Sequence, residues 1–185
     1  MKNVLMIISG PSGVGKGTIV DRILEDRDDV VESVSCTTRA PRDGEVDGRE
    51  YFFITKEEFQ RRVDENGFLE YDAHFENYYG TPLAFVKETL KTKSVILEID
   101  VVGALNAKKA YPESVLVFIA PPSEEELKKR LIGRSTETQE EIEKRLSRLR
   151  YEQSFQKDYD YVVVNDDLET AVKDVCKLLD NAKNA

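Results

Sequence analysis

The stretch "IISGPSGVGKGT", residues 7–18, decides the fold, because it joins an apolar run to a helical pattern through a glycine-rich loop. Glycine backbones adopt angles that are closed to other residues, so successive N–H groups of such a loop can turn toward one anion at the start of a helix. Lys16 adds a full positive charge directly behind the loop. The amphipathic stretch "TIVDRILED" follows, and the whole pattern predicts a phosphate-binding P-loop between a strand and a helix.

Short apolar runs rich in β-branched residues recur along the rest of the chain, and amphipathic stretches separate most of them. The runs are "NVLMIIS", "VVESVSC", "KSVILEI", "SVLVFIA" and "YVVVN". This alternation predicts an α/β fold with a mostly parallel sheet. Helix starts are predicted where a capping oxygen comes three residues before a carboxylate, at Thr55 with Glu58, Ser123 with Glu126, Thr138 with Glu141 and Asp166 with Glu169.

Two segments interrupt the alternation of strands and helices. The first, from about 37 to 83, is rich in charged and turn residues and predicts a small inserted subdomain of short antiparallel strands. The second is "IGRSTETQ" at 132–139, which separates two helical patterns that carry several arginines. The 185 residues are therefore expected to form one domain with two irregular parts.

The net charge and the cysteines limit the classes of function that the chain can have. A net charge of −9 disfavours nonspecific binding to nucleic acid or to an anionic membrane surface, so an anionic ligand must be met by clustered arginines. No apolar run approaches the roughly 20 residues that span a bilayer. Cys36 and Cys176 lie far apart and no secretory signal precedes the first strand-like run, which predicts free thiols and a cytoplasmic protein that binds neither nucleic acid nor membranes.

Seven segments follow one another along nearly the whole chain: "SGPSGVGKGT", "SVSCTTRAPRDGEVDGREYFF", "FLEYDAHFENYYGTP", "LEIDVVGA", "FIAPPS", "LIGRSTET" and "VNDDLETA". In their order and approximate spacing they resemble the guanylate kinases. The resemblance implies a P-loop-type parallel sheet with helices on both faces, a small inserted α+β GMP-binding subdomain and a helical lid. It divides the single domain 1–185 into a core of 1–36 and 84–185, an insert of 37–83 and a lid region of 130–145.

The resemblance implies reversible transfer of the γ-phosphoryl group of ATP to GMP, giving ADP and GDP, with Mg²⁺ accompanying ATP. Guanidinium groups fit the phosphate dianion of GMP, and a carboxylate fits the adjacent N1–H and N2–H donors of guanine. Glu70 takes the place of that carboxylate, with Ser35 and Thr81 near the guanine edge and Asp100 near its amino group. The residues implied for GMP are Ser35, Arg39, Arg42, Glu45, Tyr51, Glu70, Tyr79, Gly80, Thr81, Glu98, Asp100 and Arg145.

The donor side of the reaction is assigned to the P-loop and to arginines of the lid. The residues implied for ATP are Gly10, Ser12, Gly13, Val14, Gly15, Lys16, Gly17, Thr18, Arg130, Arg134 and Asn165, and the catalytic set is Lys16, Arg39, Arg134 and Arg145. Gly17 stands where the P-loop pattern usually has Ser or Thr, so Thr18 is the expected Mg²⁺ contact, directly or through water. Arg148 and Arg150 are interpreted as a solvated helix face with nearby glutamates as partners, and both are left out of the site.

Other interpretations remain open from the sequence. For single residues they are a solvated loop face for Arg39 and Arg42, a surface strand for Glu70, a structural carboxylate for Glu98, simple packing for Tyr78 and Tyr79, and an ordinary strand hydroxyl for Ser35. For the whole chain they are a guanylate kinase-like module that binds protein ligands and a kinase of the same fold that uses another acceptor, such as AMP or a pyrimidine monophosphate. The expected partners are the small molecules ATP and GMP, and the expected oligomeric state is a monomer or a homodimer.

Overall fold

The computed structural model describes residues 2–74, 76–123, 125–126 and 139–185. Its strands, in chain order, are β1 (Leu5–Ser9), β2 (Val30–Glu32), β3 (Cys36–Thr37), β4 (Phe52–Phe53), β5 (Phe68–His74), β6 (Asn77–Pro82), β7 (Ser94–Glu98), β8 (Val115–Ala120) and β9 (Tyr161–Val164). Its helices are α1 (Lys16–Asp26), α2 (Lys56–Asp64), α3 (Leu83–Thr89), α4 (Val101–Ala110), α5 (Gln139–Ser154) and α6 (Leu168–Asn184), with a short 3₁₀ helix at Gln156–Asp158. The alternation of strands and helices confirms the predicted α/β class.

Five parallel strands form the central sheet in the order β2-β7-β1-β8-β9. β1 lies in the middle, and all of its residues are buried. Met6 and Ile8 pack with residues of α1 and α6, while Leu5 and Ile7 pack with residues of α3 and α4. Alternate side chains of a strand point to opposite faces, so the two hydrophobic cores lie on opposite sides of the sheet. This arrangement confirms the predicted P-loop-type sheet with helices on both faces.

A second sheet of four short strands has the order β4-β3-β6-β5. The pairs β3–β6 and β5–β6 are antiparallel, as predicted for this segment, but β3 and β4 are parallel. Phe59 of α2 stacks on Phe68 of β5, with 4.5 Å between the ring centroids. This aromatic contact attaches α2 to the second sheet and gives the sheet a small core of its own.

The run "VVESVSC" forms two strands in different sheets, although its apolar pattern indicates a single strand. The Ser33 N–H still donates to Ile96 O of β7 at 3.0 Å, whereas Ser35 O accepts from the Phe52 N–H of β4 at 2.9 Å. The chain therefore leaves the central sheet at Val34. Cys36, the first residue of the second sheet, is completely buried, and both cysteines are free, as predicted.

The second sheet runs from Cys36 to Pro82, close to the predicted insert of 37–83. Its assignment as a GMP-binding subdomain stays a prediction, and so does the division of the chain into core, insert and lid. Of the predicted lid region 130–145, the structure describes the helical backbone from Gln139 onward.

The helix starts follow the predicted capping pattern with one difference. Thr55 accepts a hydrogen bond from the Glu58 N–H at 3.1 Å, and Ser123 accepts one from the Glu126 N–H at 3.0 Å. The last helix is capped by Asp167, which accepts from the Thr170 N–H at 2.9 Å, so the prediction of Asp166 was wrong by one residue. Asp167 also accepts from the Thr170 hydroxyl, and these two hydrogen bonds stabilise Asp167 as the cap in place of Asp166. Thr138 lies outside the described residues.

None of the helices in the described part of the chain combines the length and the apolar character needed to cross a bilayer.

Candidate active site

A cavity of about 490 Å³ opens where the carboxyl ends of β1 and β7 face the second sheet. Parallel α/β sheets bind their ligands at this edge. The wall is built from the P-loop, both sheets, the start of α4 and one face of α5. Its residues are Gly10, Ser12, Gly13, Lys16, Ser35, Arg42, Tyr51, Glu70, Asp72, Tyr79, Gly80, Glu98, Ile99, Asp100, Gly103, Arg148 and Glu152.

The P-loop is held against the central sheet by close contacts. Gly10 has a φ of 143°, and a Cβ there would lie 2.3 Å from the carbonyl oxygen of Ile119 in β8, so only glycine fits. Asn165, just after β9, is buried and donates from Nδ2 to Val14 O at 2.8 Å. Asn165 therefore supports the loop from the side away from the cavity and does not line it, and its predicted role in ATP binding stays a prediction.

Lys16 is the cation of the P-loop side of the cavity. Its ammonium donates to two carbonyl oxygens of its own loop, the closer being Gly10 O at 2.8 Å. Burial lowers the pKa of Lys16, and the neighbouring carboxylates, Glu98 foremost, act in the opposite direction. The side chain thus holds a charge among carboxylates, and a phosphate can replace the loop carbonyls as its partner.

Glu70 and Thr81 form a buried polar pair at the other end of the cavity. The Thr81 hydroxyl donates to Glu70 Oε1 at 2.6 Å. Glu70 is only 8% exposed, and burial raises the pKa of its carboxyl to about 7 against the opposing hydrogen bond from Thr81. The alternative of a surface strand residue is therefore wrong. Ser35 and Gly80 line the same cavity, whereas Thr81 lies behind Glu70.

Arg39, Arg42 and Glu45 form one connected group on the loop after β3. Glu45 Oε1 accepts from Arg39 Nη2 at 2.9 Å, and Glu45 Oε2 accepts from the Arg42 backbone N–H at 2.7 Å. The Arg39 guanidinium also lies over the rings of Tyr51 and Phe53, at 5.5 and 5.8 Å from their centroids. Arg42 and Tyr51 line the cavity, and Arg39 lies beside it. Glu45 thus fixes the Arg39 side chain and the Arg42 main chain.

The adjacent tyrosines of β6 point in different directions. Tyr78 stacks on Phe59 of α2, with 5.4 Å between the ring centroids, so its ring has the packing role that was one of the alternatives. Tyr79 meets the Tyr51 ring edge to face at 5.8 Å and lines the cavity. Since successive strand residues alternate in direction, only one of the two faces the cavity.

Glu98 ends β7 and Asp100 lies two residues beyond it, and the two carboxylates have different local roles. Asp100 caps α4, because its Oδ1 accepts from the N–H groups of Val102 and Gly103 at 2.8 and 2.9 Å. Glu98 faces the P-loop: a Cβ on Gly17 would lie 3.3 Å from Glu98 Oε2. Burial raises the pKa of Glu98, and Lys16 opposes that rise.

The predicted metal contact is not part of the cavity lining. Thr18 is exposed in the first turn of α1 and does not line the cavity, whereas Glu98 does. Within the part of the chain that the structure describes, no three His, Cys, Asp or Glu side chains lie close enough to hold a metal ion by themselves. Thr18 as a Mg²⁺ contact stays a prediction.

The structure brings into the cavity residues that the sequence interpretation had left out. Arg148 and Glu152 of α5 both line it. Arg148 is exposed and pairs with Glu152 four residues on, as interpreted from the sequence, but it had been left out of the site. Asp72 of β5 lines the cavity as well. The helical spacing contained a signal for this pair, because Arg148 and Glu152 are four residues apart and therefore lie on one helix face. Arg150, two residues after Arg148, is exposed and does not line the cavity.

Three of the predicted arginines cannot be located in this site. Arg130 and Arg134 lie outside the described residues. Arg145 lies on the described backbone of α5, but its side chain is also outside the described part. Their roles stay predictions.

Comparison with known proteins places this site in a family. The family model described as guanylate kinase matches residues 2–182. A guanylate kinase from Clostridioides difficile is 48% identical over 99% of this chain and 90% of that protein, and one from Prochlorococcus marinus is 50% identical over 92% of each. The crystal structure of guanylate kinase from Anaplasma phagocytophilum has a TM-score of 0.80 at 34% identity and covers 98% of this chain and 87% of that one.

A shikimate kinase from Bacteroides thetaiotaomicron shares the fold alone, with a TM-score of 0.56 at 17% identity over 96% of this chain and 98% of that one. The near full-length match to the family model and to its members is much closer. Together with the P-loop at one end of the cavity and the buried carboxylate at the other, it shows that the chain belongs to the guanylate kinase family of nucleoside monophosphate kinases.

Proposed function

We propose that this chain transfers the γ-phosphoryl group of ATP to GMP, giving ADP and GDP, in the cavity between the P-loop and the second sheet. The observation that carries the proposal is that one cavity joins Lys16 of the P-loop to the buried carboxylate of Glu70. A P-loop alone indicates only a nucleotide phosphate. The carboxylate at the far end supplies a base-reading group for the acceptor.

Glu70 reads the guanine base in this proposal. The N1–H and N2–H donors of guanine match the two oxygens of one carboxylate, and the Thr81 hydroxyl holds one of those oxygens in place. Adenine offers no such pair of donors, so AMP would leave the buried Glu70 with Thr81 as a donor but without the two hydrogen bonds that guanine supplies. A polar site of this kind discriminates by roughly 10⁴ or more. Ser35, Asp100 and Gly80 complete the proposed base end of the cavity.

The acceptor phosphate binds at Arg42, Tyr51 and Tyr79 in this proposal, with Arg39 beside them. Two forked guanidinium groups and two hydroxyls suit a phosphate dianion. Glu45 acts as a positioning residue, because it holds the Arg39 guanidinium and the Arg42 backbone through separate oxygens. Phosphate binding then requires no rearrangement of the loop.

Phosphoryl transfer depends on alignment and on neutralising negative charge, and the acceptor is already an ionised oxygen. No general base is therefore required. Lys16 and the P-loop N–H groups hold the donor phosphates in this proposal, and Arg39, Arg134 and Arg145 complete the catalytic set. Arg130 joins the ATP site with Arg134.

Mg²⁺ accompanies ATP in this proposal, and the residues present fit it. Mg²⁺ usually keeps several waters and takes one or two carboxylates together with substrate phosphates. Glu98 supplies such a carboxylate on the cavity wall facing the P-loop, and Thr18 remains the second candidate. When bound, the ion would neutralise charge on the β- and γ-phosphates.

Closure of the insert and lid would keep water away from the transferring group. We expect GMP mainly to close the insert 37–83 and ATP mainly to close the lid region 130–145. Small-angle scattering with each ligand in turn tests this, and an unchanged radius of gyration with both would contradict it. We also expect a cytoplasmic monomer or homodimer, which light scattering of the purified protein would distinguish.

The first experiment is a coupled ADP-release assay with ATP, Mg²⁺ and each of GMP, AMP, CMP and UMP, beside a Lys16→Ala control. Turnover with GMP alone, lost in the control, is the expected result. Turnover with AMP or a pyrimidine nucleotide instead would overturn the assignment of the acceptor. Folded protein with no turnover on any acceptor would favour the module that binds protein ligands.

A further inference from the structure

A buried carboxylate on α5 connects that helix to the P-loop. Glu152 is only 6% exposed, and its Oε1 accepts from Arg148 Nε at 3.0 Å. Its other oxygen, Oε2, accepts from the Ser12 N–H of the P-loop at 3.2 Å. Glu152 is therefore bonded through one oxygen to a guanidinium and through the other to the loop, and both α5 residues line the cavity.

The charge of the cavity wall shows why an additional cation matters there. The described lining contains five carboxyl side chains, Glu70, Asp72, Glu98, Asp100 and Glu152, against three cations, Lys16, Arg42 and Arg148. ATP and GMP bring further negative charge into the same space. The charge of Arg148 also acts on Lys16, whose pKa it helps to lower, so the two cations lie within electrostatic reach of each other.

We propose that Arg148 is a further binding residue of the reaction, contacting the phosphate groups that meet between the P-loop and the insert, and that Glu152 is a positioning residue. The proposal rests on the proposed ATP:GMP transfer. The bond from Arg148 Nε to Glu152 fixes one edge of the guanidinium, and the bond from Ser12 to Glu152 fixes the loop relative to it. The pair thus sets the distance between a cation on α5 and the phosphate-binding loop.

The first test compares Arg148→Ala with Arg150→Ala by steady-state kinetics, varying ATP and GMP separately. Arg150 provides a matched control, since it is an exposed arginine of the same helix outside the cavity lining. A charge-assisted contact to a phosphate in the reacting complex predicts that Arg148→Ala lowers kcat/KM for ATP about 10- to 100-fold. Arg150→Ala should stay within about twofold of wild type.

Two further variants separate binding from a structural role of the side chain. Arg148→Met keeps most of the aliphatic stem without the charge and should be as impaired as Arg148→Ala. Arg148→Lys keeps the charge without the fork and should recover part of the loss. Equal kinetics for Arg148→Ala, Arg148→Met and Arg150→Ala would overturn the role of Arg148. The role would also be overturned if the activity of every variant fell in proportion to the decrease in its thermal midpoint.

A double-mutant cycle tests the positioning role of Glu152. Glu152→Gln keeps an acceptor for one partner but removes the charge, so it should lower kcat/KM in the wild-type background and have little effect in the Arg148→Ala background. The same fold-change in both backgrounds would show that Glu152 does not act through Arg148. Wild-type turnover of GMP, abolished by Lys16→Ala, is measured first. Its absence would refute the proposed function, whereas a neutral Arg148→Ala in an active enzyme refutes this inference alone.

Discussion

Replacing Glu70 by glutamine should make the stability of the protein less sensitive to pH. In the folded protein, burial raises the pKa of this carboxyl from 4.5 to about 7. A raised carboxyl pKa means that the folded chain keeps the proton to a higher pH than the unfolded chain does. The wild-type protein therefore loses free energy of unfolding as pH rises from about 4.5 through about 7, whereas the glutamine side chain of the variant has no proton to lose.

The magnitude follows from the two pKa values. The interval between 4.5 and about 7 corresponds to about 3 kcal/mol of unfolding free energy, an order-of-magnitude figure. The stability difference between the Glu70→Gln variant and wild type should thus move by about that amount in favour of the variant between pH 4.5 and pH 8. A constant offset from the altered hydrogen bond with Thr81 does not affect this slope.

The assay is urea unfolding of both proteins at several pH values, with Glu113→Gln as a control for the loss of one exposed carboxylate. A stability difference that stays constant within about 1 kcal/mol across this range would refute the reasoning, because it would mean that Glu70 ionises as easily in the folded chain as in the unfolded one.

Bound GMP should reverse this stability difference in favour of the wild-type protein. Donors from guanine favour the ionised carboxylate, so saturating GMP at pH 8 should raise the thermal midpoint of wild type much more than that of Glu70→Gln. The variant should also need far more GMP for turnover, while its KM for ATP changes little. Unchanged GMP kinetics would remove Glu70 from the base-reading role.

Two further predictions concern the loops on either side of the cavity. Gly10→Ala should lower the free energy of unfolding by at least about 2 kcal/mol in urea titrations, because the new Cβ would lie 2.3 Å from Ile119 O at a positive φ; a smaller loss would mean that β8 can move aside. Glu45→Gln should raise the KM for GMP about tenfold with an unchanged KM for ATP, since it weakens the hold on Arg39 and on the Arg42 N–H; equal changes in both KM values would argue against a role confined to the acceptor phosphate.

Features encoded by neighbouring residues could be predicted from the sequence. The P-loop is one, because strand, glycines, Lys16 and helix follow each other directly. The central parallel sheet is another, since each of its strands is a short apolar run between helical patterns. The Glu70 candidate came from the family resemblance, and its burial beside Thr81 became visible only when β5 and β6 were paired.

Features that depend on distant pairing could not be predicted in the same way. The exchange of sheets at Val34 is decided by Phe52, which pairs with Ser35 and lies far along the chain. Asn165 donates a hydrogen bond to Val14, which lies 151 residues earlier, and no local sequence pattern predicts this contact. Arg148 was left out of the site because nearby glutamates offer it partners on the same helix, and the sequence does not show that α5 lies against the P-loop and brings this side chain to the cavity wall.

Labelling of the two free thiols can show whether the two sheets of the protein unfold together. Cys36 is completely buried in the second sheet, while Cys176 of α6 packs against the core of the central sheet. A thiol reagent can reach Cys36 only after that sheet opens. If the two sheets unfold as one unit, Cys36 will be labelled at the rate of global unfolding; if the second sheet opens alone, it will be labelled sooner, and nucleotides that bridge the sheets will protect it.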